Sequence, residues 1–332
     1  MRKRKINSFI TILLLASVAM CLAMDSKTVK INDSPQSPAN QAMEILKSAA
    51  ENESPLIRMD AIESIVISRC SKLFPMIDKS LADPVDAVRF AAALAVGDLR
   101  YKESKEKVLI LFDSQDMNEK IAAAYALLRL GGSDNEYHKV IVTAIQSNDS
   151  TISANAALII GKLGIKKYSG LLRWALQADS SDDKTRIQAI ESLAMLKEKD
   201  VISKAWALMI SKRADDRVMG IITMYHLGTY DSLNAIKTML DDEVLEVRLV
   251  AAGRLEAFRD DTGTDVITSF FDKDIKGLSG EDRTRPLVHA LDAVRYSRSL
   301  KLAEYLPQYL KDDDITVRIH SAAGILSISN GK

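Results

Sequence analysis

An all-α solenoid of about nine helix-turn-helix units is the fold that this 332-residue sequence predicts, on three observations. First, the chain is 47% hydrophobic but only 5% aromatic, and its glycines and prolines together number 21. That composition is poor for a β-sandwich and suits closely packed helices rich in Ala, Leu and Ile. Second, taking Arg89 as an anchor, equivalents fall at Arg58, Lys120, Ser153, Arg186, Arg217, Arg248, Arg285 and Arg318, with successive gaps of 31, 31, 33, 33, 31, 31, 37 and 33 residues. A period this regular is the signature of stacked repeats. Third, six residues before each anchor stands Asn52, Asp83, Ser114, Ser147, Ser180, Ser211, Asp242, Ser279 or Asp312. All are residue types whose side chains cap a helix start, each cap contributing about 1 kcal/mol.

The chain opens on what reads as an export signal over residues 1–23. "MRKRK" supplies four positive charges, "FITILLLASVAMCLA" is a short apolar run, and Ser17/Ala19 or Cys21/Ala23 provide the small residues of a cleavage site. An uncleaved N-terminal anchor is the alternative. "VAMC" also resembles a bacterial lipobox, which makes Cys21 a candidate lipidation site, although Met20 stands where that pattern has Gly, Ala or Ser. Residues 24–40, "MDSKTVKINDSPQSPAN", lack apolar periodicity and read as a flexible linker. The solenoid is expected over 41–330.

Each unit begins with a first helix marked by two apolar series. Twelve before the anchors lie Leu46, Ile77, Val108, Ile141, Trp174, Ala205, Ile236, Lys273 and Leu306, and eight before lie Ala50, Leu81, Phe112, Ile145, Ala178, Met209, Leu240, Gly277 and Leu310. Four residues apart, they form one buried stripe. Lys273 and Gly277 break it in the longest unit, where Ile267 and Phe271 restore it if six residues are inserted before Arg285. The second helix carries a small residue three after the anchor (Ala61, Ala92, Ala123, Ala156, Ala189, Gly220, Ala251, with Val288 and Ser321). Seven after it the residue is large and apolar except at Asp292. Such spacing marks a helix approached closely by neighbours, and it explains why "DPVDAVRFAAALAVGDL" is almost pure alanine after its Arg. Asp83 is expected to cap that helix and Pro84 to sit at its start.

"DPVDAVRFAAALAVGDL", "DEVLEVRLVAAGRLEAF" and "DDITVRIHSAAGIL" resemble HEAT repeats, and the period near 31 resembles the short subtype named for the phycobilisome lyases. The resemblance covers residues 41–330 and implies a right-handed, armadillo-like α-solenoid of about nine repeats, with first helices convex and second helices concave. It further implies a polar ladder of Asp and Arg through the inner turns, complete here at Asp83/Arg89, Asp242/Arg248 and Asp312/Arg318.

Removing residues 1–23 takes away four basic residues and no acid, so 41 basic and 45 acidic residues remain. That balance argues against nucleic acid, which needs a basic stripe. Cys70 is then the one cysteine besides Cys21, and no intrachain disulfide is expected. His138, His226, His289 and His320 have no metal-ligand spacing, and no His-Glu dipeptide occurs, unlike in the iron-binding, HEAT-like deoxyhypusine hydroxylases. "DKDIKG", Asp272–Gly277, resembles the opening of a calcium loop but fails at Lys276 and Arg283. No cofactor, metal or catalytic residue is therefore expected. Trp174 and Trp206, in consecutive first helices, are expected to fill a repeat interface.

The ridge of the second helices is the surface expected to stay exposed. It shows Ala122 and Arg129, Asn155 and Lys162, Gln188 and Met195, Met219 and His226 in four successive repeats. Polar and small on one edge with Met on the other, it would suit an extended peptide or a partner helix. The function expected is thus a non-catalytic protein-interaction scaffold, exported to the periplasm or cell envelope of a bacterium, holding a protein or peptide partner along its concave face. It would touch the membrane only through an N-terminal anchor or lipid. The alternative is an enzyme or enzyme accessory that binds a small molecule in the concave groove, as the lyase-like resemblance implies.

Overall fold

The computed structural model describes residues 37–297 and 299–330, in which all regular structure is helical. The export segment, Cys21 and most of the expected linker lie outside the described residues. The linker ends earlier than 40, because Ser37 accepts a hydrogen bond from the Asn40 N–H at 3.2 Å and starts a helix with Pro38 in its first turn.

Short and long helices alternate along the chain. In order they are α1 (Pro38–Ala49), α2 (Pro55–Ser68), α3 (Phe74–Ser80), α4 (Asp86–Leu99), α5 (Lys105–Phe112) and α6 (Met117–Arg129). Then come α7 (Asn135–Ala144), α8 (Ser150–Leu163), α9 (Ser169–Gln177), α10 (Asp183–Met195), α11 (Ile202–Met209) and α12 (Ala214–Leu227). The last third holds α13 (Tyr230–Lys237), α14 (Leu245–Ala257), α15 (Thr264–Asp272), α16 (Glu281–Tyr296), α17 (Leu300–Ala303) and α18 (Ile315–Ser329). No described helix is long and apolar enough to cross a membrane.

The even-numbered helices pack each against the next, while the odd-numbered ones lie outside them. Burial follows that placement. In α4 every residue from Phe90 to Gly97 is buried, whereas α3 buries only Ile77 and Ser80. The six alanines at the third position after the anchors are fully enclosed, and a Cβ on Gly220, the residue in that place on α12, would come within 2.7 Å of the Met209 backbone nitrogen. That contact confirms why the position is small: α11 and α12 touch there. Trp174 and Trp206 depart from expectation, since both point outward, 40% and 39% exposed, and do not fill the repeat interface.

The turns differ from expectation in one detail. Asp83 accepts from Val85 N at 2.9 Å, and Asn52, Ser114, Ser147, Ser211, Asp242 and Asp312 likewise bond the N–H two residues on. These residues shape the turn before the helix, in the manner of Asx and Ser/Thr turns, and Pro84 sits within that turn. The side chains that cap the helix itself come later, as at Asp116, Asp149, Asp182 and Asp314.

The polar ladder exists between repeats. Arg58 forks onto Asp83 at 2.7 Å through Nε and Nη2, and Arg217 onto Asp242 at 2.8 Å. Arg58, Arg89, Arg217, Arg248 and Arg318 also hold the carbonyl six residues back in their own turn, as Arg89 does with Asp83 at 2.6 Å. Where Ser114 replaces the next Asp, Arg89 pairs with Glu119 instead. In the longest unit Arg283, not Arg285, carries the ladder to Asp312. The sequence register is therefore two residues off there.

The array closes on itself. Helix α18 packs against both α1 and α2. Ser327 Oγ donates to the Ile67 carbonyl and Asn330 Nδ2 to the Ser68 carbonyl, both at 3.1 Å. The long helices α2 to α18 thus form a ring in which the last touches the first. A ring has no open concave face, and this corrects the exposed ridge. Asn155, Lys162, Gln188, Met219 and His226 are buried, and Arg129 and Met195 are half-buried.

Candidate functional site

Polar residues turned into the interior of a closed ring are stabilised where they find partners among themselves. Lys162 reaches past α6 to Asp98 on α4 at 2.9 Å, with its side chain wholly enclosed. Asp98 also accepts the Tyr125 hydroxyl at 2.5 Å, and burial pushes that phenol's pKa up. Asn155 donates to Asn118 at 2.9 Å, Gln188 to Glu191 at 3.0 Å, and His226 Nε2 lies 3.4 Å from Glu191. Arg129 Nε approaches the Gly97 carbonyl at 3.4 Å. The residues expected to greet a partner serve the ring's own interior. Among them only Met219 lines the main cavity.

That cavity, of about 640 Å³, lies between α10, α12, α14 and α16. Its mouth is at the first turns, where Asp182, Asp183, Lys184, Arg213, Asp215 and Arg285 alternate in sign. Arg285, released from the ladder by the register slip, spans α14 to reach Asp215 at 3.1 Å and Glu246 at 3.0 Å. Below the mouth the walls turn apolar, with Ile187, Leu208, Val218, Met219, Ile222 and Val250. Further along the same helices the lining turns polar again, with Arg254 on α14 and His289, Asp292 and Tyr296 on α16. At about 1.5 Å per helical residue, Tyr296 lies roughly 16 Å along α16 from Arg285.

The cations of the floor each meet a carboxylate, except one. His320, on α18, places Nδ1 3.0 Å from Asp292 and Nε2 3.3 Å from Asp60 of α2, so it joins the cavity floor to the seam where the ring closes. Burial works against its positive charge, but Asp292 and Asp60 outweigh that and hold its pKa well above the ordinary histidine value. Burial likewise opposes the charge of Asp292, yet His320 and Arg295 overcome it and keep the carboxyl well below the usual range. Arg295 stands 3.6 Å from Asp292. Glu63 of α2 faces the same cluster, and burial together with the Asp60 charge pushes its pKa up, toward the neutral form. His289 is pushed down to about 4, chiefly by burial, with the cations Arg285, His320 and Arg254 adding to the effect and Asp292 opposing it. It is a neutral imidazole at pH 7.

Arg254 is the exception. It is 4% exposed, donates through Nη1 to the Tyr296 hydroxyl at 2.7 Å, and lies over the Tyr225 and Tyr296 rings at 5.0 and 5.1 Å. Among the described residues it pairs with no carboxylate. Gly253 beside it allows the wall to be thin, since a Cβ there would meet Ala293 of α16 at 3.0 Å.

Sequence reasoning did not identify Arg254, Asp292, His289 or Tyr296 as a site. One signal was present: Asp292 was the single acid in an otherwise large, apolar series, in the unit with the longest gap. Among the described residues no group of three or more His, Cys, Asp or Glu is placed to hold a metal ion, and Asp272 of the calcium-loop-like stretch accepts the Tyr305 hydroxyl at 2.8 Å.

No family model matches this chain, and no curated protein does. Solved structures with related helical stacking include the complex of CpcE and CpcF of phycocyanin lyase from Nostoc sp. PCC7120, at 13% identity and a TM-score of 0.45, covering 75% of this chain and 99% of that one. Human deoxyhypusine hydroxylase in complex with glycerol is similar at 12% identity and a TM-score of 0.37, covering 80% and 98%. Kap121p is similar at 13% and 0.33, covering 89% of this chain and 38% of that chain. The chain is an α-helical repeat array, as its own helix pairs and inter-repeat ladder define it.

Proposed function

We propose that this chain is a non-catalytic binding protein that takes a small ligand into the cavity between α10, α12, α14 and α16. The observation that carries the reading is the cavity's construction: about 640 Å³, apolar walls, and a few polar groups converging at its inner end. A non-catalytic role is supported by the state of Asp292, which is held in a pair with His320 beside Arg295 rather than left free to act as a base. Export to a bacterial envelope is part of the proposal and rests on residues 1–23.

Native mass spectrometry of the purified full chain tests the binding role. A small molecule that leaves on denaturation, and is absent from Val250→Trp folded to the same extent, is the expected result. Identical ligand-free spectra for both, with no small molecule added from a metabolite extract binding either, would contradict it. N-terminal sequencing of cell-fractionated protein tests export, which requires loss of at least residues 1–19, or retention of the whole segment in a membrane fraction.

A second reading keeps a protein partner but moves it to the outer surface. Trp174 and Trp206 on consecutive outer helices, together with Ile210, are large apolar side chains left in solvent there. Co-purification lost in a Trp174→Ser, Trp206→Ser variant, with cavity variants retaining the partner, would favour it.

A further inference from the structure

The chemistry of the ligand follows from the floor. An arginine taken out of water loses solvation that a single neutral hydrogen bond does not replace, and buried charges are stable where a counter-charge meets them. Other charges at this cavity meet counter-charges. Asp292 is matched by His320 and Arg295, Arg285 by Asp215 and Glu246, while Asp183 and Asp216 face Arg186 and Arg213 at 3.9 Å. Arg254 alone, enclosed at the inner end, has only the Tyr296 hydroxyl and the faces of two tyrosine rings. Its guanidinium has a planar fork of donors, and one nitrogen, Nη1, is committed.

A second donor faces the same space. His289, two residues beyond the ring-facing Leu287 and one turn toward the mouth from Asp292, makes no hydrogen bond among the described residues, and a neutral imidazole presents one N–H. His289 lies about one helical turn below Arg285 of the mouth and Tyr296 roughly three turns below it, and Met219, Ile222 and Val250 supply the apolar wall.

We infer that the cavity binds a small amphiphile tail-outward, its single anionic head (a carboxylate, or a sulfate or phosphate monoester of like shape) seated on Arg254 with His289 and its apolar body against Met219, Ile222 and Val250. This rests on the cavity reading above and adds the class of ligand. Two acidic groups of the floor do not oppose it: Asp292 is neutralised by its own cations, and Glu63 sits behind it toward the seam.

Calorimetric titration of the full chain with octanoate, octyl sulfate and octanol, below their micelle concentrations, separates the two claims. The expected result is that both anions bind and octanol binds at least about tenfold more weakly, the scale of a charge-assisted hydrogen bond. In Arg254→Gln the anions should fall to the affinity of octanol, with octanol itself unchanged. Equal binding of octanoate and octanol by the native chain would overturn the anionic class while leaving the cavity reading intact. Binding of none of the three would overturn both. Because the comparison of head groups needs no variant, it stands even if Arg254→Gln fails to fold, and Tyr296→Phe, which frees Nη1 without removing the charge, then serves as the variant that must retain the preference for anions.

Discussion

His320 occupies a position where its proton is a structural element. With Asp292 at 3.0 Å and Asp60 at 3.3 Å, a neutral imidazole could satisfy only one of the two carboxylates as donor, and the cation satisfies both. His289, three residues before Asp292 on α16, has the opposite environment and stays neutral. Histidine NMR should therefore show His320 still protonated above pH 6.5, where an ordinary histidine loses its charge, and His289 neutral down to about pH 4. The two shifts act on stability with opposite sign. Because the His320 pKa is raised, its contribution is fully present below the ordinary value of 6.5 and is lost as pH rises through the folded-state value. Because the His289 pKa is lowered from 6.5 to about 4, the unfolded chain takes up a proton that the folded one refuses, so stability falls as pH drops across that window. Urea midpoints measured across pH should show both slopes, with the alkaline slope gone in His320→Ala and the acid slope gone in His289→Asn. His320→Ala also leaves two buried carboxylates facing each other, and the loss should be on the order of 3–5 kcal/mol.

At the scale of the helix, the contacts that set repeat spacing are the small residues. Ala123→Leu, at a fully buried position of α6, should cost about 1–3 kcal/mol by overpacking. Gly220→Ala is the sharper case. Alanine is the better helix former by about 1 kcal/mol, yet its methyl would lie 2.7 Å from Met209 N and 2.5 Å from Met209 Cγ. Thermal melting should show Gly220→Ala less stable than the native chain, and a gain would mean that α11 and α12 are not held this close. These elements were legible in the sequence because helical period, small-large alternation and turn chemistry are local: Ala61 through Ala251 and the Asn, Asp and Ser before each anchor needed only neighbours a few residues away. In the longest unit the local pattern points to Arg285, which has Ser279 six residues before it, and only the position of Asp312 in the next repeat shows that Arg283 makes the ladder contact.

The whole molecule holds what local pattern could not reveal. Whether a stack of repeats stays open or closes depends on small rotations summed over the entire array, and no single unit encodes that sum. Closure decides the rest: it turns the exposed ridge into a buried interior, gives Lys162 and His226 partners inside the ring, and brings Asp60 of α2 to His320 of α18. It also supports the cavity floor from behind, since Asp292 is held by the same histidine that spans the seam. Ligand bound on that floor should therefore protect the α2 and α18 amides of the seam from hydrogen exchange, and His320→Ala should weaken ligand binding although His320 is outside the cavity lining. The most direct measurement of closure is the distance across the seam. Lys72 and Asn330 are exposed and border one small crevice there, so spin labels can be placed at both in a chain with Cys21 and Cys70 replaced by Ser, diluted with unlabelled protein. Pulsed dipolar spectroscopy should give a single narrow distribution at short distance, broadening when His320→Ala is added. A long distance, or a broad one in the otherwise native chain, would mean an open array and would contradict the ring.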